Sequence, residues 1–334
     1  MTMTAEPDNA GTEVIHARLT PEERRAKRLA YVYFALAVFV FWVFGLAEDS
    51  SMDAEFKLSL PTDSHEYAWT FTPRTLSFVI AGFFVVIGII QLVRGFGRWT
   101  NIILGISLVL FVVAFLGWAA AGKSFSLVGM LSSMVVLSVP VTCGGLTGLM
   151  CERVAIVNIG IEGQLLTAAF VGTMMGSAFS RWGGLVGAML AGALLGWILA
   201  VLVIKYQVDQ IIAGVVINMF ALGITSFMAT RVLGPNPHLN SPDRFATINI
   251  PVLEDIPVLG PMLFRNNIFL YGSVLLVIAI HYGLFYTRWG LRSRSVGEHP
   301  KAADTVGIDV YWVRYRNVTL AGLIAGFGGA ALTL

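Results

Sequence analysis

Nine long apolar runs dominate this chain, at about 29–47, 76–93, 102–121, 125–150, 163–180, 183–204, 211–230, 268–286 and 317–334. Their interiors carry no Asp, Glu, Lys or Arg; Lys123 and Arg231 lie at or between the ends. A segment of this kind crosses a hydrocarbon layer only when every backbone N–H and C=O is satisfied within it, which selects the helix. The predicted fold is therefore all-α: a polytopic membrane helical bundle of about nine spans. Composition agrees, with 56% apolar and 13% charged residues, where a soluble domain has about 25% charged. The net charge of +2 gives no sign of a nucleic-acid partner.

Three regions follow from the pattern. Residues 1–28 are polar, end in Arg24, Arg25, Lys27 and Arg28, and read as disordered or weakly helical, with no cleavable signal. Residues 29–124 hold three spans and an acidic hairpin at 48–75 with Glu48, Asp49, Asp53, Glu55, Asp63 and Glu66. Residues 125–334 hold the rest, including a polar island at 287–316. If the island faces the cytoplasm, alternation puts the N-terminus there too and the acidic hairpin outside. Lys and Arg then number fifteen inside against seven outside, as the positive-inside tendency requires.

The island contains six of the twenty-two Lys and Arg residues. Within it, His299 to Gly307 reads as a short helix. Pro300 suits the first helical position and Gly307 the left-handed stop, while Ala302, Ala303 and Val306 give a small-residue face at helical spacing. A small face lets a helix sit closely in a groove on another protein. A plain solvated loop satisfies the same charge pattern, and spacing alone does not separate the two.

Pro140 with Gly144, Gly145 and Gly148 favours a kinked or broken helix in the run that starts at 125. After it comes Glu152-Arg153-Val154-Ala155-Ile156-Val157-Asn158-Ile159-Gly160-Ile161-Glu162-Gly163. Here Asn158 can cap the next helix, Glu162 falls in its first turn, and Gly160 and Gly163 permit close backbone approach. A well-capped helix entry with no further role fits these residues as well. Gly183, Gly187, Gly192 and Gly196 with Ala188 and Ala191 form a stripe suited to helix packing or to a subunit contact. Asn218, in an apolar run after Gln207-Val208-Asp209-Gln210, needs a partner, either a neighbouring helix or a polar solute. His281, the one histidine within a span, is expected to be a hydrogen-bonded interior residue. Cys143 and Cys151 have no metal-ligand spacing and read as buried free thiols.

Three of these segments resemble one family. Arg294-Ser295-Val296-Gly297-Glu298-His299-Pro300-Lys301-Ala302-Ala303 with Gly307-Ile308 is similar to the cytoplasmic coupling loop of bacterial ABC importer permeases of the nucleoside and simple-sugar group, related to ribose and branched-chain amino-acid permeases. That group commonly has Asn where His299 stands. The 152–163 segment resembles its E-R-x-G-x-x-N-I-G-x-E-G pattern, with Ala155 in place of a frequent Gly. The 205–218 segment resembles its N-Q-x-I-x-G turn, with Asp209 for Asn. The three segments lie within residues 125–334, and the first 124 residues carry none of these motifs.

The resemblance implies a passive permease subunit of the bacterial inner membrane, with no catalytic residue, no metal and no cofactor of its own. Gly297, Glu298, His299, Pro300, Lys301, Ala302, Ala303 and Gly307 would couple it to two separate ATPase subunits that use ATP and Mg. Asn158, Glu162, Gln164 and Asn218 would line or gate the path. A second permease, alike or related, and an extracytoplasmic substrate-binding lipoprotein would complete the assembly. The expected solute is a nucleoside, with a simple sugar next. The family pattern continues with further spans beyond a segment such as 318–330, so either this sequence stops short or a partner supplies them.

Two other classes compete. An ion-coupled secondary transporter usually carries intramembrane ionisable residues, and here only His281 qualifies. Gly117-Trp118-Ala119-Ala120-Ala121-Gly122-Lys123-Ser124 matches the phosphate-binding pattern G-x-x-x-x-G-K-[ST]. That pattern needs a strand–loop–helix setting in a soluble core, so a chance match at the end of a span is expected.

Overall fold

The apolar runs fold as helices in the computed structural model, which describes residues 2–7, 13–18, 21–47, 51–58, 68–254, 256 and 258–334. Glu48, Asp49, Asp63 and Glu66 of the acidic hairpin lie outside them. The chain divides into two compact units, Met1–Val128 and Gly129–Leu334.

The first unit opens with an antiparallel pair, β1 (Thr2–Pro7) and β2 (Glu13–Arg18). Residues 2–7 and 13–18 are therefore paired strands where a disordered or weakly helical segment was expected, and α1 (Pro21–Phe39) begins eight residues before the apolar run does. It continues as a π-helical turn to Gly45. The hairpin region forms β3 (Ala54–Lys57) and β4 (Ala68–Phe71), followed by α2 (Pro73–Val93), α3 (Thr100–Ala119) and β5 (Ser124–Ser126). The sheet order is β4-β3-β5, with Phe56 packed edge-on to Phe71 at 4.7 Å. The helical core is aromatic: Phe44 stacks on Trp118 at 5.3 Å and meets Phe39 edge-on at 5.4 Å. Gly117 to Ser124 runs from the end of α3 through a turn, Gly122 at φ 68°, into β5. That order is the reverse of a phosphate-binding loop.

The second unit contains α4 (Leu127–Glu152, whose first two residues belong to the first unit), α5 (Ile161–Ala178), α6 (Arg181–Ala200) and α7 (Gln210–Met228). Then come α8 (Ile268–Tyr286), α9 (Arg288–Glu298), α10 (Pro300–Thr305) and α11 (Val310–Ala330). Helix α4 is continuous with Pro140 inside it. The expected break falls later, at 153–160, where the apolar run ends and Ala155 takes φ 55°.

Helix α6 is the packing centre. A Cβ at Gly192 would strike the Gly322 carbonyl of α11, and one at Gly196 would come within 2.8 Å of the Val318 carbonyl. On its other side, a Cβ at Gly184 would lie 2.7 Å from the Gly172 carbonyl of α5. The small-residue stripe thus packs helices within one chain, as glycine-lined membrane helices do. Gly184 belongs to it, whereas Gly183 meets the turn that joins α5 to α6, at Phe179 and Ser180.

Seven helices among the described residues are long and apolar enough to cross a membrane. Of the nine expected runs, the other two are the helices α5 and α11. They carry the polar residues: Glu162 and Gln164 in α5, and Arg314, Arg316 and Asn317 in α11.

Candidate functional site

The sequence-selected residues of the second unit gather at one end of it, where α4 and α8 finish and α5, α7 and α11 begin. The loop 153–160 lies at their centre. Helix α5 starts after Gly160, which offers no side-chain cap. Asn158 is not the cap that local reading suggests; its amide donates instead to Gln164 Oε1 at 3.3 Å. The cap comes from another helix. Asn218 of α7 accepts from the Gly163 N–H at 2.7 Å and donates to the Ile159 carbonyl at 2.9 Å. One amide therefore satisfies an N–H that the helix start leaves unpaired and a carbonyl of the loop before it. The close approach needs glycines on both sides: a Cβ at Gly214 would lie 2.9 Å from the Gly160 nitrogen, and one at Gly163 3.0 Å from Ala221 Cβ.

Gln210 fixes the loop from the same side, accepting from the Val157 N–H at 2.6 Å. Asp209 caps α7, accepting from the Ile211 and Ile212 N–H groups at 2.9 and 3.1 Å. Asn158 and Gln164 are buried, at 6% and 0% exposure. Asn158 Oδ1 and Gln164 Nε2 have no protein partner among the described residues. This buried amide pair thus retains one acceptor and one donor. Glu162 is exposed in the first turn of α5, where the helix dipole favours its charge.

The polar island is almost wholly helical and not an open loop. Thr287 begins α9 by accepting from the Gly290 N–H at 3.3 Å. A closed set of bonds then holds α9 against α11. Trp289 Nε1 donates to Asn317 Oδ1 at 2.8 Å, and Asn317 donates to Ser293 Oγ at 2.8 Å. Helix α9 also reaches the 153–160 loop, because a Cβ at Gly297 would lie 2.5 Å from the Arg153 carbonyl. Arg314 of α11 donates to the Val154 carbonyl at 3.2 Å.

On this base stands α10. His299 Nδ1 accepts from the Ala302 N–H at 3.3 Å, the same cap that an Asn would provide. Pro300 holds the first position and Gly307 turns the chain at φ 81°. The anticipated small face divides, however. Ala303 is buried and accepts from the Ile308 N–H at 3.1 Å, whereas Ala302 and Val306 point outward, Val306 being 75% exposed. Glu298, His299 and Lys301 are exposed beside them.

Sequence reasoning missed Gln210, Arg314 and the Trp289–Asn317–Ser293 bonds. An Asn at the very start of an apolar run was the visible signal for the last. His281 also differs from expectation. It is exposed on α8 and touches Phe285 and Tyr286, with ring centroids 5.1 and 6.0 Å away. Cys143 and Cys151 are free and buried.

Comparison with known proteins places these features in context. The chain is 41% identical over 206 residues to the guanosine ABC transporter permease protein NupQ of Bacillus subtilis, covering 58% of this chain and 64% of that protein. It is 36% identical over 208 residues to the nucleoside ABC transporter permease protein NupC of Lactococcus lactis, covering 60% and 65%. The glucose ABC transporter permease protein TsgB13 of Haloferax volcanii is 27% identical over 212 residues, with coverages of 60% and 56%. The chain thus spans a little under two thirds of the length of the curated relatives it matches. No solved structure matches it. Residues 130–334 match the family described as branched-chain amino acid transport system / permease component, and the chain belongs to that family.

Proposed function

We propose that this chain is the path-forming permease subunit of an ATP-driven importer, and that its solute is a nucleoside. The observation that carries this reading is the 41% identity to a guanosine permease. A simple sugar is the second reading, supported by the glucose permease relative.

Helix α10 is the coupling element in this proposal. Its exposed side, Ala302 and Val306, is carried on a base bonded to α11 and packed on the 153–160 loop. A push on α10 is therefore transmitted to the starts of α5 and α11 and not absorbed by slack chain. The partners are two ATPase subunits that use ATP and Mg, a second permease, alike or related, and an extracytoplasmic substrate-binding lipoprotein. The chain itself lies in a bacterial inner membrane with its N-terminus inside, as the fifteen-to-seven distribution of positive charge supports. Asn158 and Gln164 border the inner end of the path through their free acceptor and donor. Asn218 contributes by holding α5 in place, and Glu162 by its exposed charge.

Val306→Asp tests the coupling role, because the residue is exposed and its replacement leaves the fold alone. The complex is purified from its native membrane and uptake of labelled guanosine is measured. ATPase recovery and uptake are expected to fall about tenfold or more, as for the loss of a central contact, with permease levels unchanged. Full uptake by this variant sinks the coupling assignment. Uptake that persists without ATP but collapses with the ion gradient points to a secondary transporter, and uptake of glucose in place of guanosine moves the solute to sugars.

A further inference from the structure

The first unit holds a feature that transport through the second does not use. At the end of the unit where α1 begins, α2 finishes and α3 begins lies a cavity of about 510 Å³. Three guanidinium groups line it, Arg25, Arg94 and Arg98, together with Gln91, Thr100 and Asn101. Chain geometry brings them together. Gly95 and Gly97, at φ 64° and 52°, turn the backbone between α2 and α3, and Arg94 and Arg98 on either side of the turn both line the cavity. Arg25 Nη2 donates to Asn101 Oδ1 at 3.2 Å, which holds the α1 arginine over the same space. No carboxylate is among the described lining residues.

Gln91 is the second, independent observation. It is 2% exposed, lines the cavity, and its Oε1 has no hydrogen-bond partner among the described residues. An acceptor buried without a donor is unfavourable. Three cations at the rim call for an anion, and the buried acceptor calls for a hydroxyl donor on the same molecule. The cavity also lies at the edge of three apolar helices, the level at which a bilayer presents its headgroups. We infer that this cavity binds the headgroup of a glycerophospholipid, with Arg25, Arg94 and Arg98 on the phosphodiester and Gln91 accepting from a glycerol hydroxyl, as phosphatidylglycerol provides. The assignment rests on the membrane fold alone and stands whether or not the solute is a nucleoside.

The test uses the full chain in detergent, delipidated and offered equimolar lipid pairs, with retained lipid read by native mass spectrometry. Phosphatidylglycerol is expected to be retained about tenfold over phosphatidylcholine, and an Arg94→Gln/Arg98→Gln double variant to lose that preference. Both arginines are exposed, so their replacement leaves the helices intact; if the pair does not fold, either single variant carries the same test. Phosphatidylethanol has the same phosphodiester charge but no headgroup hydroxyl. Phosphatidylglycerol is therefore expected to be preferred over it by the unaltered chain, and Gln91→Met to remove that preference. Equal retention of phosphatidylglycerol and phosphatidylcholine overturns the proposal. So does a preference that survives the double variant. Displacement of the lipid by millimolar glycerol phosphate or inorganic phosphate reassigns the cavity to a soluble anion and overturns the lipid source.

Discussion

The two units meet the same apolar surroundings with different packing. In the first, aromatic side chains such as Phe44, Phe111 and Trp118 fill the space between helices. In the second, glycines remove that space altogether, and half of the Arg181–Lys205 window is buried. Lipid tails are as apolar as leucine, so burial of apolar surface does not drive membrane helices together; close packing and hydrogen bonds do. The second unit has both, in the Gly192–Gly322 approach and in the Asn218 amide bonded to the start of α5. It is also the unit that matches the permease family.

This contrast can be broken most directly with one bulky substitution in each unit. Gly192→Leu drives a side chain into the Gly322 carbonyl and is expected to destabilise the second unit by about 3 kcal/mol, the upper range for overpacking. Gly105→Leu in α3, where an added Cβ meets nothing within 4 Å, is expected to stay within about 0.5 kcal/mol. Thermal unfolding of both variants in detergent makes the comparison. Equal losses would show that the glycine contacts do not set the difference.

A smaller effect separates the polar contacts. Asn218→Leu strands the Gly163 N–H and the Ile159 carbonyl and is expected to cost about 2 kcal/mol. Thr72→Val in the first unit removes an exposed bond to Asp53 of 3.0 Å and is expected to cost about 0.5 kcal/mol or less. The same thermal measurement, with hydrogen exchange at Gly163, reads both. Protection of Gly163 that survives Asn218→Leu would mean that the cap is not structural.

The smallest expected effect has the opposite sign. Ala155 sits at φ 55°, a left-handed conformation that is unfavourable for any residue with a Cβ by about 1–2 kcal/mol. Ala155→Gly relieves it and loses part of the gain to the freer unfolded chain. A net stabilisation of about 0.5 kcal/mol is expected. A lowered unfolding midpoint would show that the Ala155 methyl contributes contacts that outweigh the strain.

Much of the fold was legible in the chain because its causes are local. An apolar run must become a helix in hydrocarbon whatever surrounds it, and Pro300 and Gly307 bound α10 through their own backbone preferences. The 287–316 island read as a loop because charge marks solvent exposure but does not exclude helix: α9 presents Arg288, Arg292 and Glu298 outward, whereas Arg314 of α11 turns inward to the Val154 carbonyl. The site residues were visible as residue types, while their partners were not. Asn158 looked like the α5 cap because it stands next to the helix in sequence; the actual cap, Asn218, lies 55 residues beyond Gly163.

By itself, then, the sequence determined the membrane class, the helices and the punctuation of α10, since each depends on forces acting within a few residues. Tertiary structure decided which glycines touch, which amide caps α5, how Ala303 parts from Ala302 and Val306, and that three arginines and a buried glutamine share one cavity. Those outcomes depend on which helix faces which. That facing is set by close packing between residues far apart in the chain.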